Sequence, residues 1–169
     1  MRYPLIMALC SILLISCGTE EKKASEQTED PNIVHINKDD DQMNLAKQKA
    51  RDSWDHFLTV LREKTYDANN ASVKLGYSTS DGNIEHIWAT DLHWTAGNLY
   101  AVIANDPQKI IGMQMGDTVL VTKNKLSDWL YSVNGVMKGG YTIRVIRDQK
   151  TPEERKAFDE QFGLTIEEE

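Results

Sequence analysis

The stretch LSDWLYSVNGVMKGGYTIRVIRD, residues 126–148, decides how this chain is read. Trp129 to Val133 and Val136 to Lys138 flank Asn134-Gly135, the strongest short signal for a two-residue hairpin turn. Gly139-Gly140 then permits a bulge or a sharp bend. Beyond it Tyr141, Ile143 and Val145 alternate with Thr142, Arg144 and Ile146. This period of two predicts a further strand. The stretch therefore reads as the closing half of a small antiparallel sheet.

Working back towards the amino terminus, the same period recurs. Val73, Leu75 and Tyr77 alternate with Ser72, Lys74 and Gly76, and Asp81-Gly82 marks a turn. Ile84 to Leu92 is the next expected strand, and Thr95-Ala96-Gly97-Asn98 turns the chain again. Leu99 to Ala104 is apolar on both faces, which predicts a central strand. Asn105-Asp106-Pro107 ends it, a loop with Gly112 and Gly116 follows, and Asp117 to Thr122 is a short strand. Before the strands, Met43, Ala46, Ala50, Trp54, Phe57, Leu58 and Leu61 fall at steps of three and four. They predict one amphipathic helix over residues 43–64. After them, Thr151-Pro152-Glu153-Glu154 combines a capping threonine, proline at the first helical position and a glutamate three residues on. Phe158, Phe162 and a stop at Gly163 complete a short second helix. The expected class is α+β: a meandering antiparallel sheet of five to six strands between an N-terminal and a C-terminal helix. The spacing is compatible with a sheet partly curled towards a barrel.

The charge is uneven. Of 169 residues, 26 are acidic and 19 basic. Residues 18–41 hold eight acids and three lysines, and residues 151–169 hold seven acids and two bases. The stretch between, 42–150, holds eleven acids and thirteen bases. A nearly neutral domain lacks the concentrated lysine and arginine that a phosphate backbone needs, which argues against nucleic acid as a partner. Both cysteines, Cys10 and Cys17, precede the domain, so it has no disulfide framework and no cysteine-based metal site.

The leader has its own logic. Arg2 supplies a positive start, and the apolar run Leu5 to Ile15 is too short to span a bilayer, which takes about 20 residues. Its end, Leu14-Ile15-Ser16-Cys17, resembles the bacterial lipobox. That resemblance implies a cleaved signal peptide over residues 1–16 and lipidation, including palmitate, at Cys17. Several acyl chains on one residue meet the requirement for stable anchoring. Residues 17–41 are then a flexible acidic tether, too polar to offset ordering entropy, with Asn32 to Ile36 as a short apolar exception. Residues 42–150 form the domain, and residues 151–169 a capped helix and acidic tail. The expected location is the bacterial cell envelope, on the outer membrane, facing the periplasm or the surface.

The core also resembles the YegJ-like family, a bacterial domain of unknown function. The matching residues are Ala50-Arg51 and Phe57, Val73-Lys74, His86-Ile87-Trp88, Asn105-Asp106-Pro107, Gly116-Asp117, Ser127-Asp128-Trp129-Leu130-Tyr131 and Gly139-Gly140-Tyr141-Thr142. They span residues 43–148. Asp106 departs from the glutamate usual in the family. The resemblance implies a fold and a boundary, and brings no catalytic residues, cofactor or metal.

Candidate chemistry is sparse. His86 and His93 are seven apart and point to opposite faces of an unbroken strand. Asp91 and His93 share a face, so a carboxylate-oriented histidine is one catalytic option and Asp128 another; an envelope hydrolase is the alternative function they define. Trp88, Trp94 and His86 share a face on an unbroken strand. Trp88, Trp129, Tyr131 and Tyr141, with Asp128 at the rim, are the candidate binding surface. Packing beneath the helices is the competing reading for the aromatics, and amide bonding at a turn the competing reading for Asp128. The leading expectation is a lipid-anchored, non-catalytic binding domain. Its partner is an envelope protein or component, met through the aromatic surface or the loop 105–116.

Overall fold

The computed structural model describes residues 41–67 and 70–167. The expected signal peptide, Cys17, the tether up to residue 40 and the apolar run at 32–36 lie outside the described residues. The helical stripe forms two helices, α1 (Asp41–Asp52) and α2 (Trp54–Glu63), where the sequence predicts one. The break is at Ser53, whose hydroxyl donates to the Lys49 carbonyl and lies 3.0 Å from the Tyr141 hydroxyl. A serine that bonds back to the preceding turn bends a helix, and here the bend lets both halves keep their apolar faces inward. Met43, Ala46, Ala50, Trp54, Phe57 and Leu61 are all buried.

Six strands follow: β1 (Ala71–Ser78), β2 (Ile84–Thr95), β3 (Asn98–Ile103), β4 (Thr118–Leu120), β5 (Leu126–Val133) and β6 (Val136–Gly139). They form one antiparallel sheet in the order β4-β3-β2-β1-β5-β6. The sheet is open at both edges, so the curling does not close a barrel. The order also corrects the expected centre. β3 lies next to the edge and alternates buried with half-buried residues, whereas β1 and β5 hold the middle of the core. Asn134 and Gly135 both take positive φ, 52° and 76°, as the hairpin requires. Asp67 clamps that turn by accepting from the amides of Asn134 and Gly135 and from the Ser132 hydroxyl.

The largest departure is at residues 141–148. The predicted last strand is a helix, α3 (Tyr141–Asp148). Gly139 and Gly140 both lie at positive φ, 72° and 65°, and swing the chain out of the sheet. A Cβ on Gly139 would overlap the carbonyl oxygen of Trp129, so only glycine lets the backbone close over that strand. The new helix buries Ile143 and Arg147, four residues apart, against its neighbours. α4 (Pro152–Phe162) follows with the predicted capping box on Thr151 and Glu154 and a left-handed Gly163 at its end.

Two apolar cores result. The larger fills one face of the sheet, where Trp54, Phe57, Val60 and Leu61 meet Val73, Leu75, Ile87, Ile103 and Trp129. The smaller lies on the opposite face over β5 and β6, where Leu130, Met137 and Ile143 meet Ile166, Phe158 and Phe162. Thr165 adds a parallel bridge beside Val136. Among the described residues no helix is long and apolar enough to cross a membrane.

Candidate functional site

The smaller core covers the β5–β6 end of the second sheet face and reaches Trp88 on β2. The rest of that face, over β1, β2 and β3, is half-buried and carries Lys74, His86, Thr90, Tyr100 and Val102. Its corner nearest β5 is the most elaborated part. His86 lies opposite Gly76, and a Cβ there would come within 3.2 Å of its Nδ1. The missing side chain is what allows the imidazole to lie across β1 and reach β5. There the register slips between Lys74 and Leu75, leaving Ser127 as the extra residue of a bulge. Ser127 Oγ meets His86 Nδ1 at 2.7 Å.

The charges around His86 are cationic. Burial lowers its pKa to about 4, and Lys47, Lys74 and Arg51 add to the depression. The ring is therefore neutral near pH 7. Lys74 points its ammonium over the Trp88 ring at 5.6 Å. Burial pulls that ammonium below its ordinary pKa, with the Asp128 charge opposing and Lys47 reinforcing. Arg51 holds the edge of the corner through a 2.7 Å bond to the Leu126 carbonyl.

Asp128 lies at the base and is fully buried. One carboxylate oxygen accepts from the amides of Trp129 and Tyr141, and the other from the amide and hydroxyl of Thr142. It therefore caps the first turn of α3 from a different element, satisfying amides that no residue within the helix can reach. Burial pushes its carboxyl above the ordinary value, against the pull of Thr142, Lys74 and Trp129. Its role is the amide-bonding one, and none of its lone pairs is turned to a surface.

The other sequence candidates are dispersed. Trp129 and Tyr131 are buried, stacked at 5.8 Å within the larger core, and Trp129 Nε1–H donates to the Ala50 carbonyl. Tyr141 meets Trp129 edge-on at 5.6 Å and is half-buried. Of the four aromatic candidates, Trp88 alone lies on the sheet face of His86. A bulge between Thr90 and His93, with Asp91 at φ 49°, breaks the strand on which the face assignments rest. It moves Trp94 to the face opposite Trp88 and brings His93 onto the face of His86. His93 Nδ1 lies 2.8 Å from the backbone carbonyl of Asp91, and its ring stacks on Tyr100 at 6.0 Å. The Asp91 carboxylate is not its partner. The loop 105–116 is strapped to β2 by Glu85, which accepts from the amides of Gln108 and Lys109. Asn105 accepts from the Trp88 amide where the ladder to β3 ends.

What the corner can do is hold a charge. Ser127, at 3% exposure, is too covered to act as a nucleophile, and no carboxylate orients His86. No group of three or more histidine, cysteine or acidic side chains arranged for a metal exists among the described residues. Sequence reading missed the Ser127–His86 pair because it depends on a bulge and on the absent side chain of Gly76. The Gly76 in an otherwise alternating strand was the available signal.

The chain is 32% identical over 142 residues to a putative ankyrin repeat protein of Neisseria meningitidis serogroup B, covering 80% of this chain and 56% of that one. It is 36% identical over 101 residues to the uncharacterized protein YegJ of Escherichia coli, covering 60% of this chain and 64% of that one. The chain thus spans less than two thirds of the length of either relative. No solved structure matches it. The family described as "Uncharacterized protein conserved in bacteria (DUF2314)" matches residues 40–166, which takes in every described helix and strand and the His86 corner. The resemblance read from the SDW and GGYT blocks is thereby borne out, and the chain belongs to the DUF2314 family.

Proposed function

We propose that this protein is a lipid-anchored binding module of the bacterial envelope that recognises its partner through the half-open sheet face. The observation that carries this reading is the asymmetry of the sheet. One face is packed by α1 and α2, while the other leaves His86, Thr90, Tyr100 and Val102 half-buried beside Trp88, which edges the smaller core. Antiparallel sheets commonly solvate one face, but a tryptophan and a cation flanking a histidine give this face features that recognition uses. The anchor rests on the leader: a short apolar run ending in Leu14-Ile15-Ser16-Cys17.

Two arms test it. Metabolic labelling with an alkyne fatty acid should mark the native chain and leave Cys17→Ser unmarked and in the soluble fraction. A photo-crosslinking residue placed at Thr90 should give one discrete adduct in intact cells, whereas one at Leu45, exposed on α1, should give none. An unmarked native chain removes the anchor. Equal adducts from both positions, or none from Thr90, remove the binding face.

A further inference from the structure

We infer that the corner formed by Lys74, His86 and Trp88, with Lys47 and Arg51 of α1 beside it, binds an oxyanion group of the phosphate or carboxylate class. The inference deepens the binding reading above and rests on it for the face involved. Three observations converge. First, the corner is built. Gly76 makes room for the imidazole, the β5 bulge delivers Ser127, and the 2.7 Å contact between them fixes the ring with its Nδ1 edge engaged. That leaves Nε2 as the ring atom available to a ligand.

Second, the Lys74 ammonium is withdrawn from water, and it makes neither an ion pair nor a hydrogen bond with any described residue. It lies instead over the face of Trp88. A lysine drawn from water without a donor's partner is costly, and an anion supplied from outside removes that cost. Asp128 does not serve. Its two oxygens are filled by four donors from Trp129, Tyr141 and Thr142.

Third, the charges that act on His86 are cationic: Lys47, Lys74 and Arg51 all lower its pKa, and Asp128, which acts on Lys74, is already filled by its own donors. Cations held at a surface of lowered dielectric attract an anion more strongly than the same groups in water. The Trp88 ring supplies an apolar wall beside the charge, which suits an oxyanion carried on a larger body.

The test follows the His86 imidazole by NMR in the full chain, held in detergent, during titration with sodium phosphate, sodium acetate or sodium chloride at constant ionic strength. Saturable movement with phosphate or with acetate is expected, and whichever acts identifies the source. The bound anion should also raise the His86 titration midpoint, since binding and protonation are linked. In Lys74→Gln the affinity should fall about tenfold or more, the scale of one charge-assisted hydrogen bond. The indole N–H signal of Trp129 reports that this variant keeps its fold. No saturable response to either oxyanion, an equal response to chloride, or an undiminished response in Lys74→Gln overturns the inference. A Thr90 adduct that persists in Lys74→Gln and in excess phosphate would sink the oxyanion site alone, leaving the binding face intact. Loss of that adduct from the native chain would instead remove the face.

Discussion

Asp128 and His86 lie on the same face of the sheet, with β1 between their strands, yet burial acts on them to different ends. The Asp128 carboxylate spends both oxygens on the start of α3 and on Trp129. In Asp128→Asn one oxygen becomes a donor facing the Thr142 amide, so two donors are set against each other. The expected cost is about 2–3 kcal/mol in urea unfolding, the scale of losing hydrogen bonds to a buried charged group. Amide exchange should accelerate first at Tyr141 and Thr142. His86 contributes through protonation. Its folded pKa is depressed to about 4, below the ordinary 6.5. Between those values the unfolded chain binds more protons than the folded one, so stability falls as pH drops through that window and levels off below it. A urea series between about pH 7 and pH 4 should show this loss in the native chain and a shallower one in His86→Gln. Asp67 adds a separate acid-side loss. The amide of Gly135, the Ser132 hydroxyl and the amide of Asn134 hold its carboxyl below the ordinary value. Its contribution is present above about pH 4 and is lost as pH falls further, and Asp67→Asn should flatten that lower limb.

At the scale of elements, the chain separates into parts that announce themselves locally and parts that do not. The capping box at Thr151, the stop at Gly163, the Asn134-Gly135 turn and the stripe from Met43 to Leu61 carry their causes within a few residues, and each is legible. α3 is not. Tyr141 to Ile146 has the β-branched content and alternation of a strand, and its helical state comes from elsewhere: a carboxylate thirteen and fourteen residues upstream, and a strand that two glycines must clear. The candidate corner fails to show for the same kind of reason, since bulges at Ser127 and Asp91 reset which side chains share a face. The two glycine classes separate experimentally. Gly139→Ala combines a left-handed backbone with a clash against the Trp129 carbonyl, and should cost at least about 3 kcal/mol or prevent folding. Gly163→Ala has the same handedness at φ 75° but open space around it, and should cost only about 1 kcal/mol. Urea midpoints of the two variants decide the comparison.

Over the whole molecule, β5 is the shared wall of two cores of unequal size. Trp129 and Tyr131 point from it into the larger, and Leu130 points into the smaller. The smaller core depends on residues from the end of the chain: Phe158, Phe162, Leu164 and Ile166 close it, Thr165 accepts from the Met137 amide, and Asp159 pairs with Arg147 at 2.8 Å. Ending the chain after Gln149 would strip these away while leaving every residue of the larger core in place. It would also take the Asp159 carboxylate from the buried Arg147 guanidinium, which adds a desolvation cost to the lost apolar burial. Together these amount to about 3–5 kcal/mol, taking the side chains as only partly buried. Because β5 belongs to both cores, its own protection should survive only on the side facing β1. The expected outcome is a lower urea midpoint, with amides of β1 and β2 still slow to exchange and those of β6 and α3 exchanging freely. Uniform loss of protection across all six strands would instead mean that the small core is required for the large one to form, and that the open face of the sheet exists only when α4 is docked.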